Sequence, residues 1–445
     1  MKKKLNLTSL TTLVLSSMVG AGAFSLPQNI AEVASPLALI ICWSITGIGV
    51  LFIAISLLLL SRVKPSLDGG IYTYAKEGFG ELVGFCSAWG YWLCSIIANV
   101  SYLVIVFATF SFFTDQSDRV IFGDGNTWQA IIVESILLWI MHCLVLRGTH
   151  LASKINKLIT VAKLIPLSLF IILAFVSFKK DIFQFDFSGV KMGISIWQQV
   201  KNSMLITLWV FIGIEGAIVV SAQAQRRKDI GIATVLAVIL ALSIYVLITL
   251  LPLGIVYRSE LAGMKNPSML SLMINMIGNY GKIIISVGLI LSVFGAYLSW
   301  IIMTIEIPYI AALYGAFPQI FKYKNKNNTP SVSLLFTNIS IQLSLILIWL
   351  SVSNYNILLT IATEMILIPY FILGAFLSKI SIKDNKKVLF IFGIMTSLYS
   401  LWLLYAAGII NLLLSIILYI PGIFIFLYIK YQNNKKKKTK NKNIV

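Results

Sequence analysis

The chain has 445 residues, of which 58% are hydrophobic and 11% charged, with a formal net charge of +19 at pH 7; its mean hydropathy is +0.91. Length alone would allow two or three soluble domains, but soluble domains carry about 25% charged residues, so the composition excludes them. Four scattered cysteines and two histidines offer neither metal-ligand spacing nor a disulfide framework, and no metal or cofactor is expected.

Residues 33–61, 82–114, 230–257, 327–363 and 388–429 contain no Lys, Arg, Asp or Glu. About 20 helical residues cross the hydrocarbon of a bilayer, so the last two runs are long enough for helical pairs. The pattern predicts an all-α polytopic membrane protein of twelve spans: 8–31, 36–61, 82–113, 128–146, 155–178, 201–222, 232–256, 283–312, 331–350, 356–378, 388–408 and 410–429. Lys2, Lys3 and Lys4 before the first span imitate a signal peptide, but about 24 residues without a small-residue cleavage signature read as a retained helix. Asn354 and Asn411 mark turns between the late spans.

An even number of spans puts both termini on one side. The connections on that side hold 26 Lys and Arg and the opposite connections hold 8, with Lys163 inside the fifth span. The positive-inside rule makes the first side, and both termini, cytoplasmic. The lysine-rich tail, 430–445, reads as a topology anchor with a disordered end rather than a nucleic-acid site; membrane lipid is the expected surrounding.

Two spans carry glycine where a continuous helix disfavours it. The first reads SSMVGAGAFSLPQN, with Gly20, Gly22 and Pro27; the sixth reads TLWVFIGIEGAIVVSAQ, with Gly213 and Gly216 flanking Glu215. Glycines of this kind also serve close helix packing. Irregular backbone at membrane depth must be covered by protein or line a wet cavity, and interrupted helices in corresponding halves point to a transporter site. The charged residues nearest to Glu215 in sequence, Lys201 and Arg226, are 14 and 11 residues away. A carboxylate so deep is protonated, paired or hydrated, and by default functional. Competition between a proton and a cationic substrate for it is a physical means of coupling the two.

Glu134, Glu306 and Glu364 also lie in spans. Glu134, near one end of span four, reads as a snorkelling or polar-contact residue; Glu306 and Glu364 read equally as structural groups or pathway linings. Most aromatic residues belong to the core or the interface belts. Trp209 and Trp300, near the proposed break and in mid-span eight, are placed to offer a ring face to an ammonium or guanidinium group.

The segments SSMVGAGAFSLPQN (16–29), GGIYTYAKEGFGELVGFCSAWGYWL (69–93), TLWVFIGIEGAIVVSAQAQRRKDIGIAT (207–234) and SWIIMTIEIPYIAALYGAFPQIF (299–321) occur in that order. Together they resemble the amino acid–polyamine–organocation superfamily, in particular the basic amino acid/polyamine antiporter group of arginine/ornithine and arginine/agmatine exchangers. The resemblance covers almost the whole chain. It implies a leucine-transporter-like (LeuT-like) core of two inverted five-helix repeats over 1–378, the first about 8–178 and the second about 201–378. Helices 1 and 6 are discontinuous in that scheme, and two further helices follow at 379–429.

The resemblance also implies roles. The substrate carboxylate meets amides at the first break, Ser17, Gly20, Ala21, Gly22 and Ala23; its amino group meets carbonyls near Phe211, Ile212 and Ile214. Gly213 and Gly216 are hinges, Trp209 and Trp300 hold and gate the side chain, Tyr91 and Asn99 line or brace the site, and Glu215 senses charge and protons. The sequence departs from the arginine/agmatine branch at SAQAQRRKDIGIAT, which lacks the usual Asn-Pro connection, and at Gly216, where a small hydroxyl residue is commoner.

The expected activity is exchange of cationic amino acids across the bacterial inner membrane, external arginine for internal ornithine. Arginine/agmatine exchange and a proton-coupled lysine or polyamine uniporter or symporter are the alternatives. The chain is not expected to be an enzyme, and a homodimer is left open. No phosphate loop of the G-x-x-x-x-G-K-[ST] type is present, and neither a channel filter nor a catalytic triad is evident.

Overall fold

A computed structural model describes residues 6–65, 67, 70–116, 118–219, 225–351 and 355–442. The first predicted span is two helices, α1 (Leu7–Met18) and α2 (Gly22–Val33), meeting at a bend of 45°. Asn6 caps α1 by accepting the Ser9 N–H at 2.9 Å. No side chain caps α2, so its first amides have no partner within the helix. In α3 (Pro36–Val63), Ser35 accepts the Ala38 N–H at 3.4 Å and Pro36 opens the helix, where a missing N–H costs nothing.

The chain continues through α4 (Gly70–Phe79), α5 (Glu81–Thr114), α6 (Trp128–Leu146) and α7 (Thr149–Val176). Gly80 at φ 92° and Gly148 at φ 125° make the tight entries to α5 and α7, a backbone region open chiefly to glycine. Next come α8 (Lys180–Gln184), α9 (Ile196–Trp209), an irregular turn, α10 (Gly216–Val219), α11 (Arg227–Leu250), α12 (Arg258–Ala262) and α13 (Ser268–Ile277). The last third holds α14 (Asn279–Leu313), α15 (Ser331–Ser351), α16 (Tyr355–Lys383), α17 (Lys387–Ala407) and α18 (Ile409–Lys442).

The two longest core helices, α5 and α14, have 34 and 35 residues and are roughly 50 Å long at 1.5 Å per residue, well beyond a hydrocarbon thickness of about 30 Å. They pack on each other, with α16 against α5 and α7 against α14. The broken elements nest among these posts: α1 lies against α11, and α9 against α3, α16 and α17. Apolar residues such as Phe175, Leu347, Ile416 and Ile417 stay exposed on outer faces, as a lipid surrounding requires.

Among the described residues, nine helices are long and apolar enough to cross a membrane, and the bent α1–α2 pair makes a tenth. That count, made over the described residues, leaves out the predicted fifth and sixth spans. Helix α7, 28 residues long, covers most of the predicted fifth span, and the sixth is interrupted after Trp209 by the turn that leads to α10. A count of twelve therefore does not follow from helix length and hydropathy.

Other boundaries also differ. α4 and α13 are helices inside predicted connections. The turn between α17 and α18 is Gly408, at φ 84°; Asn411 lies inside α18 and donates to the Ala407 carbonyl at 3.1 Å. Asn354 lies outside the described residues. Helix α18 runs to Lys442, past residue 430 where an irregular tail is predicted; lysine and glutamine are good helix formers.

Candidate functional site

The first break begins where Val19 closes α1 by donating to the Leu15 carbonyl at 2.8 Å. The Gly20 N–H turns back to Met18 O at 2.8 Å, and α2 restarts at Gly22. Glycine is needed here for close approach: a Cβ on Gly20 would lie 2.9 Å from the Tyr102 hydroxyl, and one on Gly22 would lie 2.9 Å from Trp209 Nε1. The carbonyls at the end of α1 meet a cation from another helix. Lys163 on α7, fully buried, donates to Ser16 O at 2.7 Å, Ser16 Oγ at 3.0 Å and Val19 O at 2.5 Å.

The second break follows Trp209. Val210 to Glu215 form successive turns, with Ile212 N–H on Trp209 O and Ile214 N–H on Phe211 O, both at 3.1 Å. Gly213 takes φ 108° and its missing Cβ would sit 3.0 Å from Ser17 O. Tyr245 steadies the turn by donating to Val210 O at 2.9 Å.

Ser17 joins the breaks. Its hydroxyl donates to Val14 O at 2.8 Å and Gly213 O at 2.9 Å, and its carbonyl accepts the Trp300 indole N–H at 3.1 Å. A Cβ on Gly216 would also stand 3.2 Å from Ser17 Oγ. This knot lies between two cavities. The smaller, about 240 Å³, is lined by Gly20, Gly22, Tyr102, Trp209, Ile212 and Trp300, among others. The larger, about 530 Å³, includes Tyr72, Ser87, Tyr91, Glu215, Met303 and Glu306. Along α14 the boundary runs between Trp300 and Met303, and along the second break between Ile212 and Glu215. Among the described residues, neither lining contains Lys or Arg.

A family model described as amino acid permease matches residues 5–440. The chain belongs to the amino acid permease family. The permease is 60% identical over 428 residues to an Escherichia coli (strain K12) protein that bears the provisional name arginine/ornithine antiporter, covering 96% of this chain and 92% of that one. It is 43% identical to the arginine/ornithine antiporter of Pseudomonas aeruginosa, over 97% and 92% of the two chains. With the arginine/agmatine antiporter of Chlamydia caviae the identity is 42%, over 95% and 89%. These relatives bear out the resemblance to the basic amino acid/polyamine antiporter group. A solved Na+-coupled sialic acid symporter, in a substrate-bound outward-open state, superposes with a TM-score of 0.54 at 12% identity, covering 92% and 90%. That likeness is one of fold, and supports the LeuT-like architecture with a discontinuous first helix.

The permease brings Gly20, Gly22, Trp209, Ile212 and Trp300 to one cavity and Tyr91 and Glu215 to the other. Ser17, Gly213 and Gly216 make the partition rather than a lining. Ala21, Ala23 and Ile214 are buried and line neither cavity. Phe211 packs edge-on against Trp43 and Tyr245. Asn99 is a brace: its amide donates to Ser95 O at 2.7 Å and Thr304 Oγ1 at 3.2 Å, tying α5 to α14.

Sequence reasoning missed Lys163, Tyr102 and Tyr370. Tyr370 on α16 donates to Glu215 Oε2 at 3.1 Å, and the Tyr91 hydroxyl lies within reach of the same carboxyl. The available signal for Lys163 was its position, a lone charge inside a span. For the tyrosines there was none, because nothing in their own segments marks what faces them. Of the remaining acids, Glu134 does not snorkel: it is fully buried with both oxygens unpartnered. Glu364 ties α16 to α18 by accepting the Ser415 hydroxyl at 3.0 Å.

Proposed function

We propose that this permease exchanges cationic amino acids across the bacterial inner membrane, external arginine for internal ornithine. The observation that carries the reading is the 60% identity over 428 residues to a protein named for that exchange. The geometry supplies the means. Trp209 and Trp300 flank a small cavity at two apposed helix breaks, and indole faces stabilise a guanidinium or ammonium by about 0.5–2 kcal/mol. The free amides that open α2 carry positive partial charge and suit a carboxylate, whereas carbonyls around Phe211, Ile212 and Ile214 suit an α-ammonium. The Glu215 carboxylate, held by Tyr370, sets the charge on the far side of the partition.

Twelve spans, two inverted five-helix repeats and cytoplasmic termini complete the proposed architecture, supported by the asymmetry of 26 to 8 basic residues. Arginine and ornithine are both singly positive at neutral pH, so their exchange moves no net charge and needs neither ATP nor an ion gradient. The test is radiolabelled arginine uptake into proteoliposomes preloaded with ornithine, arginine, lysine, agmatine or buffer. Rapid uptake with internal ornithine or arginine, and little with buffer, is expected. A preference for internal agmatine moves the assignment to arginine/agmatine exchange, and substantial uptake into buffer-loaded vesicles rejects obligate exchange.

A further inference from the structure

The larger cavity is more than an empty approach to the partition. The Glu215 and Glu306 carboxylates both border it, as do Tyr72, Ser87 and Tyr91. The hydroxyls of Tyr72 and Ser87 are buried at 5% exposure or less and have no hydrogen-bond partner among the described residues, and the buried Tyr91 hydroxyl and Glu215 carboxyl lie within reach of each other. Buried polar atoms left this way cost about 1–3 kcal/mol each, and their convergence on one cavity calls for a polar occupant. With two carboxylates and, among the described residues, no cation in the lining, the occupant that fits is positively charged.

Glu306 itself is partly exposed. Lys324 is the charged side chain acting on it, yet the Lys324 ammonium lies over the Tyr309 ring at 4.0 Å and no salt bridge joins the two among the described residues. The cavity is bordered by α4, which itself carries Lys76, and by the last turns of α14, which adjoin the connection holding Lys322, Lys324 and Lys326. It therefore lies toward the face that the charge count makes cytoplasmic.

We infer that this cavity is a second, vestibular subsite for the cationic side chain of the transported amino acid, with Glu306 the residue that receives it on the cytoplasmic approach. The inference rests on the exchange reading above and adds a specificity determinant to it. An ammonium-bearing side chain such as that of ornithine pairs with Glu306 while its polar groups meet Ser87 and Tyr91, before Glu215 and the partition admit it to the smaller cavity.

The experiment compares right-side-out with inside-out membrane vesicles containing the full chain. Glu306→Gln is expected to raise the half-saturation concentration of ornithine about fivefold in inside-out vesicles, the upper end of what loss of a partly exposed charge pair allows. The value for arginine in right-side-out vesicles should change less than about twofold. Glu306→Asp, which keeps the charge, should stay within about threefold of wild type on both faces. Ile310→Lys places a fixed cation at another partly exposed lining position and should reproduce the one-sided effect if Glu306→Gln does not fold. Equal shifts on the two faces, or unchanged values in Glu306→Gln and Ile310→Lys, overturn the subsite alone. Wild-type vesicles that fail to exchange overturn the exchange reading and the subsite with it.

Discussion

The two helix breaks are closed by opposite charges. At the first, the open carbonyls ending α1 hold the Lys163 ammonium through Ser16 O and Val19 O. At the second, the Glu215 carboxylate stands immediately before α10, with Tyr370 donating to it. The signs follow the helix dipole: a helix C-terminus favours a cation and an N-terminus favours an anion. The difference lies in where each charge comes from. Glu215 belongs to its own break, whereas Lys163 arrives from α7, about 145 positions along the chain from the residues it holds. Ser17 then locks the two breaks together through Gly213 and Trp300.

Removing the borrowed charge is the most direct way to break this arrangement. Lys163→Met keeps the length of the side chain but leaves two buried carbonyls without their donor. A cost of about 3 kcal/mol or more is expected, with exchange falling at least about 100-fold, measured by thermal unfolding in detergent alongside uptake. Full activity with an unchanged unfolding temperature would mean that the first break holds itself.

Trp209→Ala ranks next. Trp209 lies beside Gly22 and lines the smaller cavity, so its loss should weaken arginine about tenfold by removing a desolvated ring face. Trp197→Ala is the control, since that indole is 54% exposed and packs on Trp402; equal effects in the two variants would remove Trp209 from recognition.

Glu215→Gln sharpens the comparison without dismantling it. An amide oxygen still accepts from Tyr370, so stability should stay within about 1 kcal/mol of wild type. The pH dependence of exchange should change, because the titrating group at the second break is gone. A pH profile identical to wild type, at equal expression, would reject Glu215 as the proton-responsive group.

The smallest expected effect lies outside the membrane. Asp115, which follows α5, accepts the N–H groups of Ile121 and Phe122 at 3.0 Å and of Gly123 at 2.8 Å. Burial pushes its carboxyl up, but these donors outweigh it and hold the group below the ordinary 3.8. The folded value is the lower one, so the stabilisation is present above 3.8 and is lost as pH falls through the folded value. Asp115→Asn should cost about 1 kcal/mol near neutral pH, and the gap to wild type should close on acidification below 3.8. A gap independent of pH would show that the charge at Asp115 contributes nothing.

Much of this was legible in the residues themselves. Uncharged runs disclosed most spans because lipid tolerates few charges within them, and Gly20, Gly22, Gly213 and Gly216 pointed to the breaks because they are paired in corresponding spans and one pair flanks a carboxylate; other glycines, inside α3, α5 and α14, leave those helices continuous. Trp209 was singled out by its place before the second break and Trp300 by its place in mid-span eight, their roles coming from the resemblance; both line one cavity. Asn99 was read as lining or bracing the site; its amide joins α5 to α14 through Thr304 and lines neither cavity. Glu134 was misread, because closeness to a span end says nothing about which neighbour covers that face of the helix. Tyr370 gave no sign at all, since its partner lies 155 residues away.

The linear order of residues by itself determined that the chain lives in lipid, roughly where it crosses, and where its helices break, because hydropathy and backbone freedom are local properties. Only the tertiary structure decided that Lys163 closes the first break, that Tyr370 holds Glu215, and that the Ser17 knot divides the interior into two cavities. Those are contacts between distant segments, set by packing among helices whose apolar surfaces alone do not specify which polar group meets which.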